Sequence, residues 1–112
     1  MPYPLREWKS LEMLRITVQE KDEAIGLTLE GRLAGLWVTE LNQAWLEIVP
    51  RLGQKKVSID LRNVTYADAA GKQVLSKIYA QANAELVTST PWTQYLAEEI
   101  VGSNVDRSDE EA

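Results

Sequence analysis

The sequence contains no histidine and no cysteine, and these two absences remove a large share of enzyme chemistry. Without them there is no Ser–His or Cys–His nucleophile, no thiolate, no phosphohistidine and no zinc site of the usual Cys/His kind. Catalysis by carboxylates would need a cleft, for which a 112-residue chain with short connections leaves little room. We therefore predict a protein that is not an enzyme and that holds no metal or cofactor.

Positive charge is also scarce, because 12 Lys and Arg face 17 Asp and Glu and the formal net charge is −5. Duplex DNA and anionic membranes both attract cations, so this balance argues against either of them as a partner. Residues 102–112 hold four of the acids and one base, and we expect this segment to form an acidic, disordered tail.

Long apolar runs are missing as well. No stretch approaches the roughly 20 apolar residues of a transmembrane helix. The first residues, with two prolines and two charges, lack the apolar stretch of a signal peptide. We expect no membrane insertion and a cytoplasmic location.

What remains is an ordinary globular composition with 45% hydrophobic residues, arranged in two different periods. Alternation predicts strands over residues 14–19, 25–29, 57–61 and 85–88, and helical spacing predicts helices over 36–49, over 69–82 and from Pro91 onward. The order ββαβαβα predicts a single small α/β domain with a mixed four-stranded sheet and about three helices. We place this domain at residues 13–101, after a lead-in segment 1–12 whose Leu5, Trp8 and Leu11 are spaced as in a short helix.

The four tryptophans have two expected fates. Trp37 and Trp45 lie two helical turns apart on the face that should cover the sheet, so we expect both in the core. Trp8 and Trp92 lie near the ends of the domain, where each either covers an open edge of the core or anchors a partner.

The most informative segment runs from the predicted strand 57–61 to the start of the helix at Ala69. Asp68 stands where a helix N-cap is expected, and its carboxylate is placed to accept bonds from the amides of Ala70 and Gly71. Ala69, Ala70 and Gly71 add almost no side chain to the first turn, so backbone N–H groups and the helix dipole face outward there. The turn from Asp68 to Lys72 is either a contact surface for a partner or anion, or simply a well-capped helix start.

The runs Leu29–Leu33, Ile59–Val64 and Asp68–Gly71, together with the order of elements over residues 13–101, resemble a STAS domain. This is the fold of the bacterial anti-sigma factor antagonists and of the C-terminal domains of sulfate transporters. The resemblance implies a protein that works by docking, with Asp68, Ala69, Ala70, Gly71 and Lys72 as the partner-binding residues. In the partner-switching systems, phosphorylation of a Ser or Thr in this loop blocks docking, because it adds about −1.5 to −2 charges to a closely packed surface.

This sequence departs from that pattern, because Ala69 and Ala70 occupy both hydroxyl positions and neither can accept a phosphoryl group. We expect a domain that docks as a permanently unphosphorylated form. Thr65 and Tyr66 are the nearest hydroxyl groups, and solvated loop residues are the simpler interpretation of both.

Three functions stay open at this point. The first is an anti-sigma factor antagonist-like regulator, whose partner is a kinase-type anti-sigma factor. The second is a STAS subunit docked on a transporter ATPase, as in bacterial lipid-transport systems. The third is a small-ligand or nucleotide sensor that uses the bare helix N-terminus. Homodimerisation is compatible with all three.

Overall fold

The computed structural model describes residues 6–9 and 14–111, with side chains for 14–102. Its five strands form one sheet in the order β1-β2-β3-β4-β5. The elements are β1 (Arg6–Lys9), β2 (Leu14–Glu20), β3 (Ala24–Leu33), α1 (Leu36–Ile48), a 3-10 turn (Val49–Arg51), β4 (Lys56–Ala67), α2 (Ala69–Ala82), β5 (Glu85–Val87) and α3 (Pro91–Glu111). The first three strands are antiparallel, whereas β3 pairs with β4 and β4 with β5 in parallel. The predicted mixed α/β domain with three helices is confirmed.

The core lies between one face of the sheet and the helices. Alternate residues of β2, β3 and β4 are buried, and α2 contacts both α1 and α3. The buried side chains are aliphatic apart from Thr93 and Trp45. Trp45 is fully buried and donates from its indole nitrogen to Gln81 Oε1 at 2.6 Å. The prediction of a core position is confirmed for Trp45, whereas Trp37 is half-buried and packs against the core from outside.

The N-terminal segment corrects one prediction. Residues 6–9 form a fifth strand, β1, that pairs antiparallel with β2 from Arg6↔Val18 to Lys9↔Arg15, instead of the predicted lead-in helix. A spacing of three residues over so short a segment does not separate helix from strand, and pairing with the free edge of β2 decides the outcome. The side chain of Trp8 lies outside the described residues.

Three further elements are longer than the sequence predicted, and the first is β3, which continues past residue 29 to Leu33. Strand β4 continues to Ala67 because it stays paired with β3 as far as Leu33↔Ala67, with two register irregularities on the way. Helix α3 continues to Glu111, through the segment expected to be a disordered tail. Residues 103–111 contain neither glycine nor proline, so nothing in that sequence stops a helix that has already begun.

Candidate functional site

Parallel pairing of β3 and β4 brings the starts of two helices together at one end of the sheet. Leu33 and Ala67 are paired at the ends of these strands, and α1 and α2 begin three and two residues later. The five residues predicted to bind a partner, Asp68 to Lys72, lie at this end, on the first turn of α2 and its cap.

Asp68 caps α2 as predicted, and it does more than that. Its Oδ1 accepts from the Gly71 amide at 2.7 Å, while Oδ2 accepts from the Gly35 amide at 3.2 Å rather than from Ala70. Gly35 is the N-cap residue of α1, so a single carboxylate joins the first turns of both helices. The Asp68 amide also donates to the Leu33 carbonyl at 3.1 Å, which ties the same residue to the end of β3.

Gly71 is buried, so it does not form part of the exposed surface of the turn. A Cβ at this position would lie 2.7 Å from the Leu33 carbonyl oxygen and 2.8 Å from Leu33 Cγ. Only glycine therefore allows α2 to approach β3 this closely.

Ala69 and Ala70 form the exposed part of the turn. Tyr66, which is 41% exposed, lies just before it, and the Arg32 guanidinium carbon is 4.4 Å from the centre of the Tyr66 ring. This cation–π contact holds the exposed aromatic ring in place. The surface is small and smooth, which suits close contact with another protein surface.

Lys72 connects this turn to α3. Its Nζ donates to Glu99 Oε1 at 2.6 Å, and the Tyr95 hydroxyl donates to Glu99 Oε2 at 2.7 Å. The hydrogen bond to Glu99 raises the pKa of Lys72, and the Lys72 and Tyr95 bonds together lower the pKa of Glu99. An open groove between α2 and α3 runs along this network, with Ala69 and Ser76 on one wall and Tyr95 on the other.

The remaining polar residues singled out by sequence have structural surroundings. Asp60 accepts from Arg62 through three bonds of 2.8–3.0 Å, and this partner lowers the pKa of Asp60. Thr65 is exposed in the last part of β4. Trp92 is half-buried and donates to the Val64 carbonyl at 2.8 Å, so it covers the edge of the core beside a register irregularity.

The described residues contain no group of three or more acidic, His or Cys side chains that could hold a metal ion. Within the same part of the chain, every helix is too short or too polar to cross a lipid bilayer.

Sequence reasoning missed three contributors to this region: Gly35, Tyr95 and Glu99. Gly35 has φ 61°, a conformation that favours glycine, and a glycine just before an apolar helical pattern was the available signal. Tyr95 and Glu99 are one helical turn apart on α3, but only the packing of α3 against α2 shows that they meet Lys72.

Comparison with known proteins agrees with this fold. No curated protein matches the chain. A family model described as "Mlab, STAS domain" matches residues 16–107, which is most of the sequence. The match spans β2 to α3 and includes the turn from Asp68 to Lys72. The chain therefore belongs to the STAS domain family.

Proposed function

We propose that this protein is a non-enzymatic module that docks on another protein through the first turn of α2. STAS domains are in general protein-interaction modules. The observation that carries the proposal is the exposed pair Ala69 and Ala70, held on a turn whose cap, Asp68, is bonded to both α1 and α2. A surface that is fixed before binding loses little conformational entropy when a partner closes over it.

The same turn carries no phosphorylation switch of the family's kind. Both exposed positions are alanine, and the buried Gly71 follows them. No phosphoryl group can be attached there, so the docking surface stays in one charge state. A module of this kind is suited to a complex that persists.

This absence of a switch favours the transporter ATPase over the kinase-type anti-sigma factor as the partner. A subunit that remains bound to an ATPase needs no acceptor hydroxyl, whereas partner switching depends on one. The family model's description names Mlab and does not name an anti-sigma factor antagonist. An antagonist-like regulator that is always active is the second candidate, and a cytoplasmic location remains a prediction for both.

The ligand-sensor hypothesis has less support. The Asp68 carboxylate already accepts from the Gly71 amide at the start of α2. A phosphate or nucleotide approaching this helix N-terminus would meet that negative charge, so the favourable helix dipole is offset.

Ala70→Glu tests the docking surface directly. The substitution adds a negative charge to the exposed first turn, where the helix dipole tolerates it and folding should not suffer. We expect it to weaken binding by at least about tenfold, because the charge becomes buried against the partner without a counter-ion. The measurement is calorimetric titration against two purified proteins from the same organism, a transporter ATPase and a kinase-type anti-sigma factor.

Ala80→Glu is the matched control, since Ala80 is also exposed on α2 but lies near the other end of that helix. It should bind like the unmodified protein. Equal affinity of the Ala70→Glu variant and the control would show that this turn is not the interface. Binding of one partner class and not the other decides between the two candidates.

A further inference from the structure

The outer face of α1 carries a second exposed surface, which begins next to the turn at Asp68 and runs away from it along the helix. Of the five large hydrophobic residues exposed in the described part of the chain, three belong to α1 and the 3-10 turn after it: Leu36 at 80%, Leu46 at 51% and Val49 at 39%. Most exposed apolar residues on a soluble protein are scattered singly, so this concentration on one element needs a cause.

Four exposed, uncharged residues of α1 and the proline of the 3-10 turn after it follow a regular repeat. Positions 36, 39, 43, 46 and 50 are separated by alternating steps of three and four residues, which is the spacing of a helix–helix seam. All five are exposed and uncharged, and they are Leu36, Thr39, Gln43, Leu46 and Pro50. We call this set the α1 seam.

Charges of opposite sign lie along the two edges of the α1 seam. Glu40 and Glu47 follow one edge, four residues after Leu36 and Gln43. Arg51, one turn after Glu47, donates to the Glu47 carbonyl, and its own charge is paired with Glu20. The other edge holds Asn42, whose amide oxygen accepts from the Lys77 ammonium of α2. An amide carries no charge to neutralise a lysine, so that edge is positive.

We propose that the α1 seam is a homodimer interface in which two copies of this chain pack their α1 helices side by side in parallel. In a parallel pair, the edge that carries Glu40 and Glu47 meets the Asn42 edge of the partner helix. Glu47 then faces the Lys77 of the second copy. An antiparallel pair would bring Glu40 against Glu47 and is disfavoured.

The overall charge of the chain also favours association through the α1 seam over other faces. Each copy carries a formal charge of −5, so two copies repel one another at most points of contact. The α1 seam itself contains no charged residue. Under a two-fold rotation, its negative edge meets the positive edge of the second copy. The seam spans 15 residues, about 22 Å at 1.5 Å per residue, so we expect a weak dimer in the micromolar range.

Sedimentation equilibrium of the full chain, from about 10 to about 500 µM, tests the proposal. The mass should rise with concentration from 12.6 kDa toward twice that value. Leu46→Lys places a charge at the middle of the seam in both copies and should abolish the rise. Gln94→Lys, an exposed site on α3 with the same change in charge, should leave it unchanged.

A charge exchange tests the parallel arrangement. Lys77→Glu should weaken the dimer by at least about tenfold, and Glu47→Lys combined with Lys77→Glu should restore it. Thermal unfolding of each variant separates loss of the dimer from loss of the fold.

A mass of 12.6 kDa at every concentration would overturn the dimer, as would a dimer that Leu46→Lys leaves intact. Failure of the double variant to restore association would overturn the parallel arrangement. The Ala70→Glu variant should dimerise normally, so failure of this proposal is distinguishable from failure of the docking function.

Discussion

Gly71 shows how one residue can have a different role from the one that its sequence context suggests. In the sequence it extends the run of small residues after Asp68, as though all of them served one surface. In the structure Ala69 and Ala70 are exposed, whereas Gly71 is buried against the end of β3. The methyl groups therefore face the solvent, and the glycine allows the helix to sit where it does.

We predict that Gly71→Ala destabilises the protein by about 1–3 kcal/mol, despite the better helix propensity of alanine. The added Cβ would lie 2.7 Å from the Leu33 carbonyl oxygen, and backbone cannot move aside as a flexible side chain can. Urea unfolding followed by tryptophan fluorescence measures the change.

Gly102→Ala is the matched control. A Cβ at Gly102 of α3 meets no atom within 4 Å, so only the helix propensity changes. That variant should be more stable by up to about 1 kcal/mol. Stabilisation by Gly71→Ala of a similar size would contradict the close approach of α2 to β3.

At the scale of elements, the Asp68 carboxylate makes the starts of α1 and α2 one unit. Its two oxygens bond the Gly71 amide within α2 and the Gly35 amide at the start of α1. The bond to Gly35 spans 33 residues, so it links the two helices as well as capping one. Ordinary N-caps satisfy the amides of a single helix.

We predict that Asp68→Ala lowers the free energy of unfolding by about 2 kcal/mol, and Asp68→Asn by about half as much. Asparagine keeps one acceptor oxygen and so can bond only one of the two amides. Urea unfolding of both variants gives the two values.

Asp22→Ala, in the exposed turn between β2 and β3, is the control and should change stability by less than about 0.5 kcal/mol. If Asp68→Asn were as stable as the unmodified protein, the second hydrogen bond, to Gly35, would carry no energy.

At the scale of the whole molecule, Glu20 connects distant parts of the chain at the opposite end of the sheet. Its side chain is only 6% exposed and accepts from Arg51 Nε at 3.0 Å and from Lys55 Nζ at 2.8 Å. The bond from Lys55, the larger cause, and the bond from Arg51 both lower the pKa of Glu20. The end of β2 is thereby joined to the connection between α1 and β4.

This ion cluster should make stability depend on pH. Because the folded pKa of Glu20 is below its ordinary value of 4.5, the stabilisation is complete above that pH and is lost as the pH falls through the lowered pKa. We predict that Glu20→Gln costs about 1–2 kcal/mol at pH 7 and that the difference from the unmodified protein shrinks by pH 3. Denaturant unfolding at several pH values tests both statements.

Glu23→Gln, an exposed site three residues later, is the control and should show little difference at any pH. A Glu20→Gln deficit that stayed constant from pH 7 to pH 3 would mean that packing of the side chain, and not its charge, stabilises this end.

Much of the fold could be read from local pattern. The alternation in residues 14–29 predicted two strands that the structure contains, and the helical spacing in 36–49 and 69–82 predicted helix bounds to within one residue. Local pattern failed where pairing with a neighbour decides the backbone. Residues 6–9 joined the free edge of β2, and the mostly polar residues 62–66 stayed in β4 because β3 continues beside them.

Local sequence accounts for the absence of His and Cys chemistry, the α/β order, the Asp68 cap and the lack of an acceptor hydroxyl at Ala69 and Ala70. These depend on residue identity and on neighbours within one turn of the chain. Packing of the folded chain brings Asp68 to the Gly35 amide and Lys72 to Glu99. Those contacts join residues 33 and 27 positions apart, and such distances close only when helices and strands pack on a common core.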